Sequence, residues 1–242
     1  REVTGGRIKR FRAPVFIDAT GDGWLGYWGG ADYRYGREAA SQHNEGWDKY
    51  GELWSPKEAD NRVMGTSVLW NSERTNQRQD FPKVPWAMPV AGKHTASKGE
   101  WYWEYSDNEL NQIDDAETIR DHMLRAIFGS FSNAKKNPKY APNKLTWVAY
   151  VGGKRESRRL MGDHIYDMHD AVKRREFPDA VVVEKREVDG HYQRKLKGAK
   201  EDFLSTAMFH KTGGYYYIPF RSFYSRNLSN LMMAGRCFSC TH

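Results

Sequence analysis

Cysteine is scarce: the 242-residue chain has two, Cys237 and Cys240. Two thiols build neither a disulfide scaffold nor a four-thiolate iron–sulfur site. A zinc site would need further ligands from distant histidines, and no metal is expected. The Cys-x-x-Cys-His haem attachment pattern fails, because Thr241 separates Cys240 from His242. Cys237-x-x-Cys240 is left as a redox pair or as two small side chains beside a pocket. Long apolar runs are also lacking. None approaches the roughly 20 residues of a membrane-spanning helix, so the chain reads as soluble with no membrane partner. His-Glu-x-x-His and Gly-x-Ser-x-Gly are absent, which removes the zinc-protease and hydrolase-elbow readings. Internal repeats and low-complexity tracts are missing too.

The hydrophobic fraction of 39% can support a core, and the net charge is +7. That charge is uneven: the balance is −4 over residues 1–121 and +11 over 122–242. A basic half can face nucleic acid. Here, however, the excess is clustered at Lys135-Lys136, Arg155 to Arg159 and Lys173 to Arg175. The first and third clusters fit solvated helix ends and loops, so no nucleic-acid partner is expected. Arg1 opens in the middle of an apparent strand and His242 follows a Gly-Arg-Cys turn, so both ends read as cut and the compartment stays open.

Residues 1–9 read as a hairpin turning at Gly5-Gly6. Val15, Phe16 and Ile17 form a continuous apolar run, as in a strand covered on both faces. Residues 36–62 read as loops with one or two short helices. Strands are expected at 65–72, 100–107 and 145–153, the second with Trp101, Trp103 and Tyr105 on one face. Ser106 and Glu109 fit a capping box. Beyond them Ile113, Ala116, Ile119, Met123, Ile127 and Phe131 mark an amphipathic helix of about 20 residues, closed by Pro138 and Pro142. A second helix is expected near 168–176, with extended segments at 215–222 and 227–237. Buried strands ending in glycine turns at both ends, around an aromatic and basic middle, suggest a nucleotide-binding domain interrupted by an insert.

Three segments carry candidate chemistry. Ala19-Thr20-Gly21-Asp22-Gly23 ends the first buried strand, where glycine lets the main chain approach a ligand and where α/β sheets bind theirs. A plain tight turn is the alternative. Residues 152–166 place Arg155, Arg158 and Arg159 just after two glycines. In a strand, Arg155 and Arg159 would share a face and Arg158 would take the other. Guanidinium forks grip carboxylates and phosphates; an exposed basic edge is the alternative. Last, Leu231-Met232-Met233-Ala234-Gly235 is another strand ending in glycine.

Together, Ile17 to Gly23, Gly153 to Asp163 and Tyr217 to His242 resemble the FAD-dependent oxidoreductase family. It looks like the two-domain flavoproteins related to glutathione reductase and fumarate reductase. The resemblance implies FAD as cofactor and an α/β fold with an α+β insert. A partial Rossmann-like FAD-binding domain (1–35 and 206–242) would be interrupted by a mixed sheet-plus-helix substrate domain (36–205). It implies that Thr20, Gly21, Asp22, Gly23, Gly235, Arg236 and Cys237 approach FAD. Arg155, Arg158, Arg159 and His242 would lie at the flavin–substrate face, where a cation can orient an acidic substrate, with Tyr217 and Arg221 lining the pocket. It also places the family's first Gly-rich strand–helix unit before Arg1 and a further helix after His242, so that this stretch alone is expected to hold FAD weakly or not at all and to be inactive. The implied reaction is hydride transfer between flavin N5 and a small or carbohydrate-like substrate, with an unknown electron acceptor. A non-catalytic carbohydrate-binding module using the rings at Trp101, Trp103 and Tyr105 is the alternative. Residues 184–201 depart from the family pattern.

Overall fold

A computed structural model describes residues 2–4, 7–45, 53–105 and 109–242. Strands β1 (Glu2–Thr4) and β2 (Arg7–Lys9) pair antiparallel, as the polar alternation predicts. The Gly5-Gly6 turn between them lies outside the described residues. The first apolar run becomes β3 (Phe16–Asp18). It is followed by helix α1 (Trp24–Gly29), strand β4 (Tyr33–Arg34) and helix α2 (Ala40–His43). Strands β5 (Thr66–Ser67) and β6 (Trp70–Arg74) and helices α3 (Met88–Ala91) and α4 (Ala116–Ala134) come next. Then come β7 (Asn143–Val148), β8 (Gly153–Lys154), β9 (Arg159–Leu160) and helix α5 (Met168–Val172). The chain closes with β10 (Ala180–Glu184), β11 (Val188–Gln193), β12 (Ser205–His210), β13 (Tyr216–Pro219) and β14 (Leu231–Met233).

The strands form two-stranded sheets: β4 with β9, β5 with β8, β6 with β7, β10 with β13 and β11 with β12, all antiparallel. The ends of the chain meet in a parallel pair, β3 beside β14, with Leu231 opposite Phe16 and Met233 opposite Asp18. This is a mixed α/β chain of small sheets and few helices. Val15 and Ile17 are exposed, so the apolar run is not covered on both faces. Among the described residues β14 is the one strand paired with β3, and the Ile17 side chain is open to solvent.

The largest core surrounds α4. Ile119, Met123, Ile127 and Phe131 recur every four residues and are fully buried, meeting Trp70, Trp103 and Phe203. The helix starts at Ala116, later than the capping signal implied, and Ser106 lies outside the described residues. Before it, Asn111 Oδ1 accepts the amides of Ile113 and Asp114, and Asp115 Oδ2 accepts that of Asn111. These local bonds hold 111–115 in turns rather than helix. Residues 100–105 are not a strand either; they join the sheets through single bridges at Trp103 and Glu104. The run of alternating rings does not form one exposed face, since Trp103 and Tyr105 are buried while Trp101 is open. Among the described residues no helix is long and apolar enough to cross a membrane.

Candidate functional site

At the end of β3 the chain turns upon its own carboxylate. Buried Asp18 accepts hydrogen bonds from the Thr20 amide (3.0 Å), the Thr20 hydroxyl (2.7 Å) and the Gly26 amide (2.9 Å), while Thr20 Oγ1 accepts the Trp24 amide. The Trp24 and Gly26 amides in the first turn of α1 are thus already taken. Asp22 is buried as well: its carboxylate receives Lys154 at 2.6 Å, Ser157 at 2.8 Å and Arg236 at 3.0 Å. Burial pushes its pKa up, but these three donors outweigh burial and hold it below the ordinary aspartate value. Asp22 and Gly23 therefore face inward, leaving Thr20 and Gly21 accessible. Gly21 (φ 80°) lies against the Arg236 guanidinium, and Gly235 (φ 84°) has open space beside it. Both left-handed turns end adjacent parallel strands, so the two glycine-ended segments share one edge.

The three arginines do not sit on one strand. β8 pairs with β5 and β9 with β4, so the chain bends between them and the guanidiniums diverge. Arg155 Nε reaches Glu104 at 2.9 Å. Arg158 lies over the rings of Tyr27 (3.9 Å) and Trp24 (4.5 Å). Arg159, fully buried, pairs with Glu156 at 2.7 Å and Glu38 at 2.9 Å and donates to the Gly36 carbonyl at 2.6 Å. Each guanidinium has a partner within the fold, and Arg158 also lines a cavity of about 310 Å³ with Tyr27, Tyr33 and Tyr35.

A cavity of about 400 Å³ opens beside the last residues of the chain, within the usual range for a small-molecule site. Phe238, Cys240, Thr241 and His242 form one side; β11 contributes Gly190, His191 and Tyr192 to its lining, and β13 contributes Tyr216 and Ile218. His242 Nδ1 lies 2.7 Å from Glu156 Oε2, and its amide donates to Glu38. Burial pushes Glu156 up, but His242 and Arg159 outweigh it and hold the carboxyl below its ordinary value. An ionised carboxylate only accepts, so Nδ1 is the donor and Nε2 the basic atom of the ring. The buried Tyr166 hydroxyl on this lining has no protein partner. The charges lining the cavity are Asp167, Glu184, Glu187 and Asp189 against Arg186.

Over residues 2–242 the sequence matches the FAD dependent oxidoreductase family. The chain belongs to that family. No curated protein and no solved structure matches it. Membership in the FAD-dependent oxidoreductases implies FAD as cofactor and a substrate with a redox partner. The structure fits the cofactor at two places: the open side of Gly235 next to half-exposed Arg236, and the cavity with its orphaned tyrosine hydroxyl. The return segment 235–242 runs from one to the other.

The predicted site residues divide accordingly. His242 lines the cavity; Thr20, Gly21, Gly235 and Arg236 gather at the strand ends. Cys237 is buried below them, donating toward the Asp18 and Ala234 carbonyls. Burial raises the thiols of Cys237 and Cys240 to about 11 and about 12, so neither is a thiolate at neutral pH, and both are free. Tyr217 is off the lining, because β13 alternates and its neighbours Tyr216 and Ile218 face the cavity. Arg221 pairs with Asp179 at 3.3 Å, away from the lining. Sequence reasoning missed three signals. Glu156 lies among the arginines as the counter-ion of Arg159. His191 lies in the segment that departs from the family pattern. Gly21-Asp22-Gly23-Trp24-Leu25-Gly26 itself carries G-x-G-x-x-G spacing after a strand and into a helix. Its third glycine is where a Cβ would stand 2.5 Å from Leu160, which packs α1 against β9.

Proposed function

We propose that β3, α1 and β14 belong to an FAD-binding domain of the two-domain flavoprotein type, interrupted by a substrate domain that supplies the far wall of the cavity. Thr20, Gly21, Gly235 and Arg236 hold the phosphate-bearing part of the cofactor, where the glycines permit close approach and the guanidinium supplies positive charge. The isoalloxazine end reaches the cavity, and a small or carbohydrate-like substrate binds there. Bound FAD supplies a two-electron acceptor or donor, in this reading through hydride transfer at N5. The chain's own residues exclude water with Phe238, Tyr216 and Ile218 and hold a proton at His242 Nε2. Glu156 fixes that ring, and Arg159 holds Glu156. Arg155, Arg158 and Arg159 do not line this cavity, and in this reading they act as supporting groups.

The observation that carries this reading is the meeting of β3 and β14, which brings Gly21 and Gly235 to one edge while the same segment continues to His242. Titrating the protein with FAD tests it, followed by flavin absorbance. Arg236→Ala should weaken binding about 10-fold, the effect of losing one charge-assisted contact of roughly 1.5 kcal/mol. Unaltered affinity would remove FAD from this edge. The carbohydrate-module alternative loses its support, because its platform of rings is mostly buried.

A further inference from the structure

The cavity holds a second oriented histidine. His191 is buried on β11 and its Nδ1 lies 2.9 Å from Glu104 Oε2. Glu104 is fully buried and accepts three further donors: the Gly65 amide at 2.8 Å, Arg155 Nε at 2.9 Å and Ser205 Oγ at 3.1 Å. Four donors converge on one carboxylate, so Glu104 acts as an acceptor and His191 Nδ1 carries the hydrogen. The arrangement repeats that of Glu156 and His242: a buried carboxylate, itself held by an arginine, fixes the ring through Nδ1 and makes Nε2 the basic atom. Both rings line the 400 Å³ cavity. Both also line a smaller one of about 10 Å³ together with Arg37, Arg62 and Tyr192. That is roughly the space of one water. A single histidine in a pocket wall is unremarkable. Two with matched buried carboxylates, from segments far apart in sequence, indicate a site built for proton movement.

The electrostatic setting limits what such a site accepts. Four carboxylates against one arginine on the lining disfavour an anionic ligand. A hydroxyl is matched both by a basic Nε2 and by the orphaned Tyr166 hydroxyl. We propose that His191, held by Glu104 as its positioning residue, is a second proton-transfer group of this cavity and that the substrate is an uncharged hydroxylated molecule of the polyol or sugar class. The inference rests on the cavity being the substrate site of the FAD-dependent reading. The step assigned to His191 is a proton transfer alone. The substrate O–H bond breaks with its electron pair left on oxygen, and the proton forms an N–H bond at Nε2; the reverse step returns it.

The test uses protein with ¹⁵N-labelled histidine rings, with and without added FAD, titrated with sorbitol, glucose and gluconate. Sorbitol or glucose should move the Nε2 resonances of both His191 and His242, and gluconate at equal concentration should move them less. His191→Gln should weaken polyol binding about 10-fold with secondary structure retained; the unsubstituted protein's spectra decide the matter should that variant not fold. The groups acting on the His191 resonance are Glu104, Arg155 behind it, Asp189 at 3.8 Å from Nε2, the Trp101 ring, and Arg37, Arg62 and His242 across the small cavity. A response at His242 with none at His191 overturns the role of His191. A stronger response to gluconate overturns the substrate class, and silence to all three probes overturns both. Failure of the FAD reading shows separately, as flavin that stays unbound while the histidines still answer the polyol.

Discussion

Around α4 the interior is almost wholly apolar: Trp70, Trp103, Met123, Ile127, Phe131 and Phe203 interlock, and the indole N–H groups of Trp70 and Trp103 find no partner. Below the strand ends the interior is ionic. Asp18, Asp22, Glu38, Glu156, Arg158 and Arg159 are all buried there, and each is tied to a named donor, acceptor or ring. The first region is held by area removed from water, which is non-directional and tolerant of small shifts. The second is held by directed bonds whose loss strands a charge. It is the second kind that touches the cavity, through Glu156 and His242.

Removing one charge should break the contrast most sharply. Arg159→Met leaves Glu156 and Glu38 buried without their cation and should destabilise by about 3–5 kcal/mol in urea unfolding at neutral pH. The gap should narrow on acidification, as the stranded carboxyls take up protons. Met123→Ala in the aromatic core should cost about 2–5 kcal/mol, and that cost should not change with pH. If both variants behave alike across pH, the two regions do not differ in the way argued.

A smaller effect separates shape from site. Gly235→Ala and Gly30→Ala each force a side chain into the left-handed region, φ 84° in both, with open space around the added methyl. Each should lose about 1–2 kcal/mol of stability. FAD affinity should fall further in Gly235→Ala alone, since only that position lies on the proposed cofactor edge. Equal loss of affinity in both would return Gly235 to a purely structural turn.

How much of this was legible in advance follows the same division. The α4 face was readable because burial on a helix imposes a spacing, and Ile119, Met123, Ile127 and Phe131 obey it. The meeting of β3 and β14 was suggested by two apolar runs that both end in glycine. The ionic region was legible as composition but not as geometry. Glu-Ser-Arg-Arg says that charges are present, whereas the bend between β8 and β9 decides where each one goes. His191 and Glu104 are 87 positions apart, and no local pattern announces that they touch. The resemblance pointed to Tyr217, whereas β13 turns Tyr216 and Ile218 to the cavity; that phase depends on the strand's partner, β10, which the sequence does not display.

The least effect expected concerns Glu45, where the ionic region behaves in the opposite sense from its neighbours. Its Oε1 accepts the Met168 amide and the Thr241 hydroxyl, but burial dominates and raises its pKa above the ordinary 4.5. A carboxyl raised in the folded state contributes stability that is fully present below its unfolded value and is lost as pH rises through the folded one. Glu156 and Asp22, both lowered, contribute stability that is present above their unfolded values of 4.5 and 3.8 and is lost as pH falls. Glu45→Gln keeps an oxygen for both donors and removes the ionisation. Its melting temperature should therefore gain on the unsubstituted protein as pH is raised from 4.5 toward neutrality. Below 4.5, where Glu45 is protonated in either state, the difference should level off. A difference that instead grew on acidification would mean that Glu45 is held ionised, as Glu156 is, and that the carboxyl beside Thr241 belongs with the charged network around His242.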